Sequence, residues 1–329
     1  MHRKISGCLA AVMMVGTFWY LPASGAEIAQ TIESAAESQE KAEEQSATES
    51  QENAKEQAAA DSEDRVGAEA YQAQAIEMES LNNARQLGGY VGADGRKVKD
   101  NVLIRCGQLS DASEEDIRKL QEVYHVTNVV DFRSDSEREA APDKEIEGAV
   151  NTWTSVKEYS QAAKNLPQDP VDQIILYAQS GGAQKAYSDI VTSEIGQEGY
   201  HDFFRILLEN EEDGAVLWHC TQGKDRAGLA AVFILYALGV DEETILDDFE
   251  LSNVYYADRI AYMKKEAQDR GCEEELLDEI GALVGVSREY MKETIDLIET
   301  EYGSMDDYLH NQLGLTDDDI TALRDKYLE

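Results

Sequence analysis

The stretch from residue 213 to residue 239 constrains this chain more tightly than any other. Ala215-Val216-Leu217-Trp218 is a short apolar run behind the turn signal Asp213-Gly214, and Leu229 to Leu238 is almost wholly apolar and stops at Gly239. The first has the profile of a central strand, and the second reads as a buried helix closed by its C-terminal glycine. Between them lies one tight loop, His219-Cys220-Thr221-Gln222-Gly223-Lys224-Asp225-Arg226. A loop from a buried strand into a buried helix turns successive main-chain N–H groups into one concavity, at the positive end of the helix dipole. A dianionic phosphate fits there. The same field favours the Cys220 thiolate, the useful nucleophilic form, and Arg226 adds a planar fork for two more oxygens.

The flanking sequence has the same α/β character. Gly88-Gly89-Tyr90, Gly92 and Asp94-Gly95 are turn signals that predict a hairpin ending in Val102-Leu103-Ile104. Ser113 caps a helix with Asp116 as its capping-box partner, and Ile117, Leu120 and Val123 lie on one face. Thr127 to Phe132 follows as a buried strand, completing a strand–helix–strand unit. Residues 133–200, punctuated by Pro167 and Pro170, give only short helical pieces, and helix signals return at Tyr200 to Leu208. The final third is helical, ending in a helix capped by Thr316 with Asp319, where Leu315 is placed to pack on Ile320.

The N-terminal quarter is unlike the rest. Arg3 and Lys4 precede an apolar run from Cys8 to Leu21, and Ser24-Gly25-Ala26 offers a cleavage site before Glu27, so residues 1–26 read as an export signal. The run is short for a membrane span, which needs roughly 20 apolar residues, and a retained anchor is the alternative. Residues 27–78, rich in Glu, Gln, Ala and Ser, carry too little apolar surface to offset ordering entropy and read as an acidic, disordered linker. Residues 79–329 are left as the folded domain. The formal net charge is −38, and removal of residues 1–26, which hold Arg3 and Lys4 and no acid, makes it −40. Such acidity argues against nucleic acid or an anionic membrane surface as partner.

Four cysteines are present, and Cys8 leaves with the signal. Cys106, Cys220 and Cys272 are an odd number for an oxidising compartment, so one stays unpaired, and a nucleophilic Cys220 is the natural one. Cys106 and Cys272 are expected to be simply buried. His125, His201 and His310 show no metal-ligand spacing, so neither metal nor cofactor is implied.

The loop resembles the His-Cys-x-x-Gly-Lys-Asp-Arg-Thr-Gly signature of bacterial secreted tyrosine phosphatases, the mycobacterial and listerial type that also accepts phosphoinositides. Asn83-Ala84-Arg85-Gln86-Leu87-Gly88-Gly89-Tyr90 is similar to that family's opening Asn-x-Arg-x-Leu-Gly-Gly, and Leu103 through Ser110 to its Arg-Ser-Gly-x-Leu segment. Val130-Asp131-Phe132-Arg133, with Glu137, is similar to its Asp-Leu-Arg-x-x-x-Glu element, and Tyr302-Gly303-Ser304 through Leu323-Arg324 to its C-terminal end. The resemblance implies the cysteine-phosphatase fold, an α/β domain with a central sheet flanked by helices and a helical C-terminal third. It implies hydrolysis of phosphate monoesters through a cysteinyl-phosphate, on phosphotyrosine protein first, with phosphoinositide or dual-specificity activity as the alternative. Carried over by position, Cys220 is the nucleophile, Arg226 the phosphate clamp and Asp225 the general acid. Thr221, Gln222, Gly223, Lys224, Ala227 and Gly228 make the phosphate site, with His219, Asp131 and Arg133 in support. Lys224 matches the lysine associated with additional phosphate contacts.

Two departures from the family pattern stand out. Ala227 replaces the threonine whose hydroxyl serves the leaving sulfur, which predicts slow breakdown of the phosphoenzyme and lends weight to a weakly active phosphate-binding module as the rival reading. Cys106 replaces a serine, so a protective disulfide with Cys220 is conceivable. An aspartate beside an arginine should stay ionised, which suits a base better than an acid. Asp131, Asp143, Asp169, Asp172 and Asp202 are therefore further candidates for the acid. Asp131 and Arg133 read equally as an internal salt bridge or as substrate contacts. Tyr255, Tyr256 and Tyr262 are expected to pack between helices.

Overall fold

A computed structural model describes residues 75–157, 167–211 and 214–329. The export signal expected over residues 1–26 lies outside the described residues, as does the linker expected over 27–78 except for its last four. Those four join the fold. Ala75 bridges Arg85, and Ile76 is buried.

One five-stranded sheet has the order β1-β2-β5-β3-β4. Its strands are β1 (Arg85–Gln86), β2 (Leu103–Cys106), β3 (Val126–Asp131), β4 (Val150–Trp153) and β5 (Ala215–His219). β1 and β2 form the expected antiparallel pair, and β2, β5, β3 and β4 run parallel. Every residue of β5 is buried, as a central parallel strand covered on both faces must be. Cys106 and Asp131 both pair with His219, so β2, β3 and β5 end level. The loops that follow them therefore meet at one carboxyl edge, where open α/β sheets bind ligands.

Helices cover both faces. α1 (Glu114–Glu122) begins at the Ser113–Asp116 capping box and packs Leu120 beneath β3. Ile117 is half-buried and Val123 is exposed, so the expected apolar face is narrower than its spacing implied. α2 (Asp135–Ala140) opens on a second capping box, Ser134 with Glu137. β4 interrupts the region read as helical pieces. Its residues are mostly exposed at the sheet edge, which removes the apolar alternation that would have marked it. α3 (Pro170–Gln179), α4 (Gly182–Thr192) and α5 (Glu194–Glu209) follow.

α6 (Arg226–Ala237) is buried along almost its whole length and stops at Gly239, where φ is +78°. Phe203 of α5 meets Trp218 edge-on at 5.2 Å between centroids, and Tyr200 meets Phe233 of α6 at 5.0 Å. The last third is helical as expected: α7 (Glu242–Tyr255), α8 (Ala257–Asp269), α9 (Glu274–Val284), α10 (Arg288–Tyr302), α11 (Met305–Asn311) and α12 (Asp317–Tyr327). Thr316 and Asp319 make the expected box, and Leu315 and Ile320 join the main core. A smaller core lies between α3, α8 and α9, built on Val171, Met263 and Ile280. No described helix is long and apolar enough to cross a membrane.

The three described cysteines are free, with Cys106 buried and Cys272 only half-buried, which corrects the expectation that both are buried. Cys106 packs with Ile104, Val129 and Leu217 under one face of the sheet, whereas Cys220 joins Val216 and Trp218 on the other. Side chains alternate along a strand, and the sheet separates the two thiols. A protective Cys106–Cys220 disulfide therefore does not fit this fold.

Candidate active site

The loop from His219 to Arg226 joins β5 to α6 at the carboxyl edge of the sheet, with Cys220 2% exposed. Its carbonyls are gripped from outside. Thr221 O accepts from the Gln108 N–H at 3.2 Å, and Gln222 O accepts from Asn83 Nδ2 at 3.2 Å and from the Tyr256 hydroxyl at 2.7 Å. The Arg105 guanidinium donates through Nη2 to Gly223 O at 2.8 Å and to Lys224 O at 3.0 Å. Within a planar trans peptide the C=O of one residue and the N–H of the next point in opposite directions. Carbonyls held outward from Thr221 to Lys224 thus turn the N–H groups of Gln222 to Asp225 inward. Among the described residues these N–H groups have no protein acceptor. Converging donors at the start of α6 form an anion cradle.

Two glycines permit this path. Gly223 has φ +66°, and a Cβ there would overlap the Cys106 carbonyl oxygen. A Cβ at Gly228 would meet the Phe249 ring at 2.8 Å and Arg105 Nη2 at 3.1 Å, crowding the guanidinium off the loop.

Arg105 is held in turn. Its Nη1 lies 3.0 Å from Asp248 Oδ2, and Arg85 Nε lies 3.2 Å from Asp248 Oδ1, all three side chains being buried. Burial alone would raise the Asp248 carboxyl, but two guanidiniums outweigh it and hold it below the usual range. Burial and the neighbouring Arg85 pull Arg105 down to about 10. A hydrogen bond from a charged donor contributes about 1.5–3 kcal/mol and a neutral one about 1, so Arg105 is the principal clamp on the loop. Sequence reasoning assigned no role to Arg85, Arg105, Asn83 or Asp248. The available signal was a charge inside the apolar strand Leu103-Ile104-Arg105-Cys106, since arginine is almost never fully buried unless paired.

Arg226 is aimed by Glu137. Its Nη1 and Nη2 lie 2.7 and 2.8 Å from the two Glu137 oxygens, and the Thr221 hydroxyl donates to Glu137 Oε1 at 2.7 Å. Burial would raise the Glu137 carboxyl, but Arg226, with further donors, pushes it down to about 2. Ala227, the second residue of α6, is fully buried, and its carbonyl accepts from Trp218 Nε1 at 3.0 Å.

Behind the loop, His219 Nε2 lies 3.2 Å from Asp143 Oδ2 and Nδ1 lies 3.9 Å from Asp131 Oδ1. Burial disfavours the imidazolium, but the two carboxylates outweigh it and raise the histidine above its ordinary range. Arg133 pairs with Asp131 at 2.9 Å and with Asp143 at 2.7 Å. Asp131 and Arg133 thus form the internal salt bridge, one of the two readings left open by sequence. Donor atoms of Asp131, Asp143 and His219 converge closely enough for a metal ion, yet the Arg133 guanidinium already supplies a cation to both carboxylates.

The pocket at Cys220 is lined from the loop by Thr221, Gln222, Lys224, Asp225 and Arg226. Its walls come from Lys157, Tyr177, Tyr187, Ile190 and Leu283. Among the candidate acids only Asp225 lines this pocket. Asp131 and Asp143 lie behind the loop, Asp169 and Asp172 pair with Arg270, and Asp202 pairs with Arg205 on α5. Lys224, expected to contact substrate phosphate, also lines the pocket. Its ammonium donates to Leu283 O at 2.9 Å, to Gly285 O at 2.7 Å and to Asp225 at 3.2 Å, so all three donors are engaged by protein. Of the three tyrosines expected between helices, Tyr255 bonds Ala84 O, Tyr256 reaches the loop, and Tyr262 is 57% exposed.

Comparison with known proteins agrees with this architecture. A Cupriavidus necator protein provisionally named a tyrosine-protein phosphatase is 30% identical over 258 residues, covering 77% of this chain and 88% of the relative. The triple specificity protein phosphatase PtpB of Mycobacterium tuberculosis is 24% identical over 257 residues, 70% of this chain and 90% of the relative. A Nostoc commune tyrosine-protein phosphatase is 43% identical over 53 residues, 16% of this chain and 17% of the relative. The profile of the tyrosine phosphatase family matches residues 76–329, every strand and helix described above, and the chain belongs to that family.

Proposed function

We propose that Cys220 removes phosphate from phosphotyrosine in proteins by two transfers. In the first, a sulfur–phosphorus bond forms as the phosphorus–oxygen ester bond breaks, and the leaving phenolate takes a proton from the Asp225 carboxyl. In the second, water attacks phosphorus and yields its proton to Asp225, and the sulfur leaves with the bonding electron pair as thiolate. The inward N–H groups and Arg226 meet the negative charge that gathers on the equatorial oxygens. Family membership makes the chain a phosphate monoester hydrolase. The observation that supports the assignment to this loop is the outward capture of four successive carbonyls around Cys220.

Tyr177, Tyr187, Ile190 and Leu283 give the pocket flat, apolar walls, which favour an aryl ester. The mycobacterial relative is named for three specificities, so a second ester class, phosphoserine or phosphoinositide, is the alternative. Export of the domain from the cytoplasm, with residues 27–74 as an acidic spacer, is supported by the basic–apolar–small pattern of residues 1–26. The test is phosphate release by the purified protein from phosphotyrosine peptide, phosphoserine peptide and phosphoinositide vesicles. Phosphotyrosine peptide should be fastest and Cys220→Ser should abolish all three. Release by Cys220→Ser with the fold intact contradicts the proposal.

A further inference from the structure

We infer that Tyr187 is a positioning residue for the reaction, its hydroxyl holding the Asp225 carboxylate in line with the leaving oxygen. This rests on the proposed acid–base role of Asp225. Tyr187 sits on α4, away in sequence from the loop, and is 3% exposed. Its hydroxyl donates to Asp225 Oδ1 at 2.7 Å, and its ring is fixed edge-on against Phe249 of α7 at 5.8 Å between centroids. Burial, with Asp225 beside it, raises the phenol well above its ordinary value, so it stays protonated and stays a donor.

The second holder of that carboxylate is Lys224, whose ammonium lies 3.1 Å from Oδ2 and is itself fixed by the Leu283 and Gly285 carbonyls. Each contact is made by a side chain locked elsewhere, one on α4 and one at the end of α9. An exposed aspartate would populate several rotamers, and this one is confined. The other ionisable groups around Asp225 include Cys220 and Arg226 of its own loop, Lys157 after β4, Tyr177 of α3, Tyr200 of α5 and Tyr256 after α7. Tyr187 through its hydroxyl and Lys224 through its ammonium both donate to the Asp225 carboxylate.

The experiment compares kcat/KM for phenyl phosphate, whose leaving group needs a proton, with that for 2,4-dinitrophenyl phosphate, whose leaving group does not. Asp225→Asn should reduce the phenyl ester by about 10²–10⁴-fold, the range for loss of a general acid, and the dinitrophenyl ester far less. Tyr187→Phe should follow the same pattern more weakly, about tenfold against about twofold, as expected when an acid is misaimed and not removed. A purely structural tyrosine would lower both esters by one factor, and that result overturns the inference. If Asp225→Asn itself shows no dependence on the leaving group, the acid–base reading of Asp225 fails instead. Should Tyr187→Phe not fold, fluorotyrosine at position 187 keeps the shape and alters the donor strength. An unchanged ratio of the two esters in that protein also overturns the inference.

Discussion

Glu137→Gln perturbs one oxygen and one charge, and the structure sets the size of its effect. The Glu137 carboxylate takes a two-pronged pair from Arg226 and a hydroxyl from Thr221, and its other role is to close the Ser134 capping box. Its pKa is pushed from an ordinary 4.5 to about 2, which is worth about 3 kcal/mol at 1.36 kcal/mol per tenfold change in proton affinity. The sign follows from the direction. A depressed carboxyl stabilises the fold fully above its unfolded pKa, and that stability drains away as pH falls from about 4.5 toward 2. The variant should therefore unfold about 3 kcal/mol more easily at pH 7, with the deficit shrinking to roughly half at pH 3. Urea denaturation followed by tryptophan fluorescence at both pH values reads this directly. Turnover should drop by about 10²-fold at pH 7, because an unheld Arg226 no longer meets the equatorial oxygens. A deficit below about 1 kcal/mol, or one that does not depend on pH, refutes the reasoning.

Gly223→Ala should cost at least 100-fold in kcat/KM, since φ +66° and overlap with Cys106 O must reshape the loop, and phosphate-analogue binding by calorimetry should weaken in step. Ala227→Thr should shrink the burst with an activated aryl phosphate and raise steady-state turnover a few-fold, by supplying a hydroxyl to the leaving sulfur; unchanged stopped-flow traces would dismiss Ala227 as the slow step's cause. Lys224→Gln should lower stability by about 1–3 kcal/mol, because two carbonyls at the end of α9 lose a charged donor, and should slow mono- and doubly phosphorylated substrates by one common factor. Selective loss on doubly phosphorylated substrates would restore Lys224 as a substrate contact.

Much of this was readable before the structure, for reasons specific to particular residues. β5 and α6 announced themselves because burial on every side leaves an uninterrupted apolar run, and the Ser113 and Thr316 caps because a capping box is a local event. β4 was hidden because an exposed edge strand carries no alternation, and Tyr187 because its partner lies 38 residues away. The ion-pair frame of Arg85, Arg105 and Asp248 is also non-local, joining residues 143 and 163 positions apart. Sequence position does not encode such meetings. The partners of Lys224 were hidden for a related reason: its place in the loop suggests the phosphate, and the carbonyls that accept from it come from a helix end some sixty residues later.

The central claim is that phosphorus becomes bonded to the sulfur of Cys220. Mixing the purified protein with ³²P-labelled phosphotyrosine peptide, quenching in acid within milliseconds and mapping the label by peptide mass spectrometry tests it most directly. Label should appear on the peptide containing Cys220, be absent from Cys220→Ser and appear more slowly in Asp225→Asn. Label on any other residue, or rapid turnover with no covalent phosphate at any time point, would contradict it.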